Sequence, residues 1–98
     1  MISVLIPFFN EEKNLPLLLK RLQAVFKKIR KPYEIVFVDD GSLDDSAKTL
    51  SSLPANVKLV RHRRQMGKGQ ALLSAFQESE GDILIFMDAD LEDNPDDL

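Results

Sequence analysis

The sequence predicts an α/β fold of the Rossmann-like kind, three layers deep, with helices on both faces of a mostly parallel sheet in strand order 3-2-1-4. Three observations predict it. Short apolar runs alternate with segments of helical periodicity, giving βαβαβαβ, an order that demands right-handed crossovers and a parallel sheet. The first run, from Ile2 to Ile6, is apolar almost without interruption, as expected of a strand buried on both faces. The 98 residues, 44% hydrophobic and 30% charged, fill one such domain with a modest core and leave no room for a second.

Each element follows from local chemistry. Ile2 to Ile6 forms strand one, closed by Pro7. Leu15, Leu18, Leu19, Leu22, Val25, Phe26 and Ile29 recur at helical spacing, with Lys20, Arg21, Lys27 and Lys28 between them, which is an amphipathic helix. Asn14 is its expected cap, Pro16 is tolerated in the first turn, and Pro32 forbids continuation. Tyr33 to Val38, β-branched and aromatic, forms strand two, and Asp39-Asp40-Gly41-Ser42 ends it with turn chemistry. A short helix is expected from about Asp44 to Leu53, stopped by Pro54, and Val57 to Val60 is strand three. After a loop from Arg61 to Gly69 comes a helix over Gln70 to Glu80, with Leu72, Leu73, Ala75 and Phe76 facing inward and Gly81 after its last turn. Ile83 to Met87 is strand four.

Composition excludes several classes. A net charge of -3 argues against a general nucleic-acid binder, which needs a basic surface. The absence of cysteine removes disulfides and thiolate metal sites and fits a reducing, cytoplasmic compartment. The opening residues lack a basic leader and read as a strand rather than a signal peptide. No run approaches the ~20 apolar residues of a membrane span. The only histidine is His62, so any metal must be held by oxygen, and His62 itself reads as a surface strand residue.

In the order 3-2-1-4, strands one and four are neighbours and the chain reverses direction between them, which opens a crevice at their carboxyl ends. The ends of strands one, two and four meet there. Asp88 and Asp90 lie one residue apart where strand four stops; two carboxylates within ~4 Å repel by roughly 4 kcal/mol at an effective dielectric near 20. A divalent cation such as Mg²⁺ would neutralise them; alternatively Asp88 caps a turn and the residues from Asp90 to Asp97 form a solvated acidic loop. Asp39-Asp40-Gly41-Ser42 fits a capped turn, and equally an aspartate that accepts hydrogen bonds from a nucleobase edge. Phe9 either stacks on a base or joins the core. Arg61, Arg63, Arg64 and Lys68, with Gly67 and Gly69, fit an exposed basic loop or a diphosphate site at a helix N-terminus. Gly67-Lys68-Gly69 is neither a P-loop nor a dinucleotide fingerprint, because the required glycines are missing.

Jointly, Ile6-Pro7-Phe8-Phe9-Asn10-Glu11-Glu12, Val38-Asp39-Asp40-Gly41-Ser42-Leu43-Asp44, Gly67-Lys68-Gly69 and Gly81-Asp82 with Met87-Asp88-Ala89-Asp90-Leu91 resemble the family 2 glycosyltransferases. Within them the likeness is to the group of dolichyl-phosphate mannosyltransferases and undecaprenyl-phosphate sugar transferases, and it covers the whole chain in order. The resemblance implies a GT-A fold, of which residues 1–98 would be the N-terminal, nucleotide-sugar-binding half, ending just after the acidic metal motif. It implies inverting transfer of a sugar from a UDP-sugar or GDP-sugar donor to a polyprenyl phosphate or other acceptor. By position, Pro7, Phe9 and Glu11 would contact the nucleoside, Val38 and Asp40 the base, and Asp88 and Ala89 the ribose and diphosphate. Asp90 would bind Mg²⁺ or Mn²⁺, with Glu92 as second ligand.

Three positions and one tripeptide depart from the family pattern: Phe9 replaces a tyrosine, Gln65 an asparagine, Glu92 a glutamine, and Asn94-Pro95-Asp96 a Pro-Pro-Glu tail. The family places its acceptor loops and any general base beyond the acidic motif, so these residues alone are expected to bind donor weakly without turnover. The full-length protein is expected in the cytoplasm at the membrane face, and an exposed docking interface predicts self-association. Two rivals stand beside this reading: a response-regulator receiver, for which Asp39-Asp40 and Asp88 satisfy the count of acids, and a non-catalytic nucleotide-binding fragment.

Overall fold

In a computed structural model, which describes residues 1–50 and 52–89, the chain runs β1 (Ile2–Phe8), α1 (Leu15–Ile29), β2 (Tyr33–Asp39), a 3-10 helix (Ser46–Leu50), β3 (Val57–Arg61), α2 (Lys68–Glu78) and β4 (Ile83–Phe86). The four strands pair in parallel in the order β3-β2-β1-β4, as the sequence predicts. Alternation along the central strands sends side chains to two separate cores. Val4, Ile6 and Phe8 of β1 and Ile35 and Phe37 of β2 pack beneath α1 against Leu15, Leu18, Leu22 and Phe26. Leu5, Val36 and Val38 face the other way, against Ala71 and Ala75 of α2. Burial on both faces explains the unbroken apolar runs, and each fully buried large side chain contributes about 1.5–3 kcal/mol.

Pro7 does not close β1, which continues to Phe8. The Leu5 carbonyl accepts from Met87 N–H and the Phe8 carbonyl from Asp40 N–H, so the backbone groups of Leu5 and Pro7 point toward β4 and those of Phe8 toward β2. Pairing with β4 ends at Leu5. Proline therefore stands where its missing N–H removes no ladder bond.

Helix α1 has the predicted extent, yet Asn14 is not its side-chain cap. The Asn14 backbone is already helical, and its Nδ2 donates to Glu11 Oε2 at 2.8 Å, while the Glu11 carbonyl accepts from the N–H groups of Asn14 and Leu15. Arg30 ends the helix in the left-handed conformation at φ 60, donating to the Phe26 carbonyl.

Three further expectations are corrected. The helix expected from Asp44 to Leu53 is only the five-residue 3-10 helix, because short polar side chains compete for its backbone: Asp44 accepts from the Ser46 N–H and hydroxyl, and Thr49 Oγ1 donates to the Ser46 carbonyl. Helix α2 turns Ala71 and Ala75 to the sheet, leaving Leu73 47% and Phe76 53% exposed rather than facing inward. Gly81 is not a left-handed cap; a Cβ there would collide with Ser3 Oγ and the Met1 carbonyl, so glycine lets the chain press against β1.

At this amino-terminal rim Glu34 is buried. Burial raises its affinity for a proton, but the Glu80 N–H, the Ser3 hydroxyl and Lys58 outweigh that and hold its carboxyl below the ordinary range. Strand β4 pairs only with β1 among the described residues, and Ile83 and Phe86 on it are exposed. No helix among the described residues is long and apolar enough to cross a membrane.

Candidate functional site

The carboxyl ends of β1, β2 and β4 surround a cleft of about 330 Å³. Pro7, Phe8, Phe9 and Glu11 line it from β1, Asp40 from β2, and Asp88 and Ala89 from β4; Gln65, Lys68 and Ala71 complete the wall from α2 and the loop before it. Six of the seven nucleotide-contacting residues named from sequence, Pro7, Phe9, Glu11, Asp40, Asp88 and Ala89, are thus brought to one cavity. Val38 is not on its wall: its side chain is fully buried under α2 with Leu5 and Ala71. Asp90 and Glu92 lie outside the described residues. Of the two adjacent phenylalanines, Phe8 is the core ring, edge-on to Phe37 at 6.2 Å, while Phe9 is half-buried and faces the cleft.

The adjacent aspartates divide the work. Asp39 serves the turn: its Oδ1 accepts from the Ser42 N–H at 2.8 Å and its Oδ2 lies 3.6 Å from Arg61 Nε. Asp40 serves the cleft. Its Oδ1 is 2.9 Å from both His62 Nδ1 and the Met66 amide, and its Oδ2 accepts from the Gly67 amide at 3.0 Å. Burial pushes the Asp40 carboxyl up, but the hydrogen bonds from His62, Met66 and Gly67 prevail and hold it below the ordinary aspartate range. An ionised acceptor is therefore fixed at the cleft floor.

His62 is not the surface residue that its position in the sequence suggests. Its side chain is 9% exposed, with Nε2 at 2.8 Å from the Ser74 hydroxyl of α2. An ionised Asp40 requires a proton on Nδ1, which in the neutral ring leaves Nε2 to accept from Ser74. The signal was present: His62 immediately follows strand three, and the order 3-2-1-4 sets that end beside Asp39 and Asp40.

Neighbouring loops are laced together around this floor. Asn10, at φ 55, accepts from the Leu43 N–H through Oδ1 at 2.8 Å and donates its own N–H to Ser42 Oγ at 2.9 Å; Glu11 N–H donates to Ser46 Oγ at 2.8 Å. Gly41, at φ 80, lets the Arg64 backbone lie directly on the turn, where any Cβ would collide with it.

Across the cleft Lys68 Nζ pairs with Asp88 Oδ1 at 2.6 Å, and both side chains keep solvent contact. The charge of Asp88 is thus offset by a lysine at the start of α2. Among the described residues no group of three or more histidine, cysteine or acidic side chains is placed to hold a metal. Asp88 is the carboxylate they contribute from the acidic motif.

The family profile described as "Glycosyl transferase family 2" matches residues 3–98. An undecaprenyl-phosphate 4-deoxy-4-formamido-L-arabinose transferase of Pectobacterium atrosepticum is 41% identical over 101 residues, which cover 99% of this chain and 31% of that protein. The chain thus spans about a third of the length of the curated relatives it matches. Among solved structures, S. aureus TarS 1-349 in complex with UDP-GlcNAc superposes with a TM-score of 0.78 at 28% identity, over 91% of this chain and 26% of that one. The mannosyltransferase PcManGT from Pyrobaculum calidifontis, in complex with GDP-Man and Mn²⁺, gives 0.73 at 27% identity, over 91% and 27%. The sheet order and these superpositions together give the fold as the corresponding part of the GT-A architecture.

Proposed function

The chain belongs to glycosyl transferase family 2, and from that premise we propose that residues 1–98 form the donor-binding unit of an inverting glycosyltransferase that moves a sugar from a UDP-sugar or GDP-sugar to a polyprenyl phosphate. The observation that carries this reading is the meeting of Asp40, Phe9 and Asp88 on one cleft. The membership removes the receiver reading, which also leaves β1 and its loop without a task although they line the cavity.

Each group has a chemical role in this reading. The Asp40 carboxylate accepts an N–H from the Watson-Crick edge of the base, and Phe9 offers a ring face for stacking beside Pro7. Glu11 contacts the nucleoside, and Val38 acts from beneath, its buried side chain setting the position of Asp40. Asp88 and Ala89 face the ribose and diphosphate, with Lys68 supplying positive charge beside them. Asp90 and Glu92 would hold Mg²⁺ or Mn²⁺, which when bound stabilises charge on the departing diphosphate. The structures of relatives in complex with UDP-GlcNAc and with GDP-Man and Mn²⁺ support the donor class and the metal. The names of the undecaprenyl-phosphate relatives support the acceptor class and a place at the membrane face.

Titration calorimetry with UDP and GDP, with and without Mn²⁺, tests the reading. Saturable binding of one nucleotide, tightened by Mn²⁺, is expected; a chain that binds neither refutes it. Incubation with labelled donor and polyprenyl phosphate is expected to give no product from these residues alone, and clear transfer would overturn their assignment to the donor side only.

A further inference from the structure

The charge on α1 is distributed unlike that of the rest of the chain. Between Lys13 and Lys31 the sequence holds seven of its thirteen basic residues and no acidic one, leaving six basic against sixteen acidic elsewhere. At about 100° per residue, Leu17, Lys20, Arg21, Ala24, Lys27 and Lys28 fall within one sector roughly 120° wide. All six are exposed, on the side of the helix away from Leu15, Leu18, Leu22 and Phe26.

No ion pair within the described residues neutralises this face. Among the described residues the ion pairs are made by the N-terminal ammonium, Lys48, Lys58, Arg61, His62 and Lys68, and none by α1. The helical neighbour that would offset the cations is a single shared position: residue 24 lies four after Lys20, three after Arg21, three before Lys27 and four before Lys28. It is alanine, not an acid. The four cations therefore repel one another in water, around a small apolar centre flanked by Leu17, itself 44% exposed.

We propose that this outer face of α1 docks on an anionic lipid bilayer. A bilayer touches one side of the protein only, and at physiological salt charges beyond about 8 Å are screened, so the acids elsewhere on the chain do not cancel the attraction. Leu17 and Ala24 give the face an apolar contact but no hydrogen-bonding group, which suits a headgroup layer better than the edges of a nucleic acid. The apolar side of α1 is committed to the core, so binding is electrostatic and salt-sensitive rather than insertional. The surface stands on the charge distribution and does not depend on the donor reading.

Cosedimentation of the chain with vesicles of phosphatidylcholine, with and without phosphatidylglycerol, tests it. Binding to the phosphatidylglycerol vesicles alone is expected, falling as salt rises. The variants Lys20→Gln and Lys27→Gln are each expected to weaken it about fivefold, and the double variant by the product. Circular dichroism and nucleotide calorimetry on the same variants are expected to be unchanged. Failure to bind the anionic vesicles, undiminished binding by the double variant, or tighter binding to a short DNA duplex than to the vesicles would each overturn the proposal. Vesicle binding in a chain that takes up neither UDP nor GDP would uphold it and sink the donor reading instead.

Discussion

Removing the Asp40 carboxylate leaves three groups facing a buried position without their acceptor: the His62 ring and the amides of Met66 and Gly67. Asp40→Asn keeps the shape but turns at least one amide hydrogen toward a donor. It is expected to cost about 1–3 kcal/mol of stability by denaturant titration and to abolish nucleotide binding by calorimetry. Two of the buried acids, Asp40 and Glu34, also set a pH dependence. Both have folded-state pKa values below their ordinary ones, so the stability they add is fully present above the ordinary aspartate and glutamate values and is lost as pH falls through the lowered native ones. The urea midpoint is therefore expected to fall on acidification below about pH 4, and Glu34→Gln to flatten part of that fall while lowering the midpoint at neutral pH. Residue identity made Asp40 readable as an acceptor. It did not reveal which partners hold it, because His62, Met66 and Gly67 are 22 or more residues away and meet it only through β3 pairing.

At the scale of elements, the strands were legible because a strand covered on both faces leaves an uninterrupted apolar run, as Ile35 to Val38 does. Helix α2 was legible in extent but not in rotation. Of the expected inner face of Leu72, Leu73, Ala75 and Phe76, Ala75 does meet the sheet, together with Ala71, whereas Leu73 and Phe76 are exposed. The 3-10 segment escaped because its side chains satisfy the backbone locally, an option that periodicity does not register. Gly81 joins α2 to β4 where the chain lies against Met1 and Ser3. Gly81→Ala is expected to lower stability by about 1–3 kcal/mol in thermal or urea unfolding, as forced overpacking does, and a neutral result would show that the loop can move away.

For the whole molecule, topology did most of the predictive work. Once the order 3-2-1-4 is assigned, the ends of β1, β2 and β4 have to converge, and six of the named residues line one cleft as a result. The exception, Val38, follows from strand alternation: it points to the α2 side one residue before the last of the strand, Asp39. Asp90 and Glu92 stand outside the described residues, so the metal assignment rests on the family.

Strand β4 carries a different kind of consequence. Among the described residues it has a ladder on one side only, with Ile83 and Phe86 in contact with water, and so presents an open sheet edge. Raising the concentration of the purified chain is expected to convert monomer to dimer or larger species in light scattering, with Phe86→Lys shifting the transition upward; strict monomer behaviour at millimolar concentration would contradict this. Concentration would then govern the handling of the chain as much as its fold does, because each molecule offers the next an unfilled backbone edge.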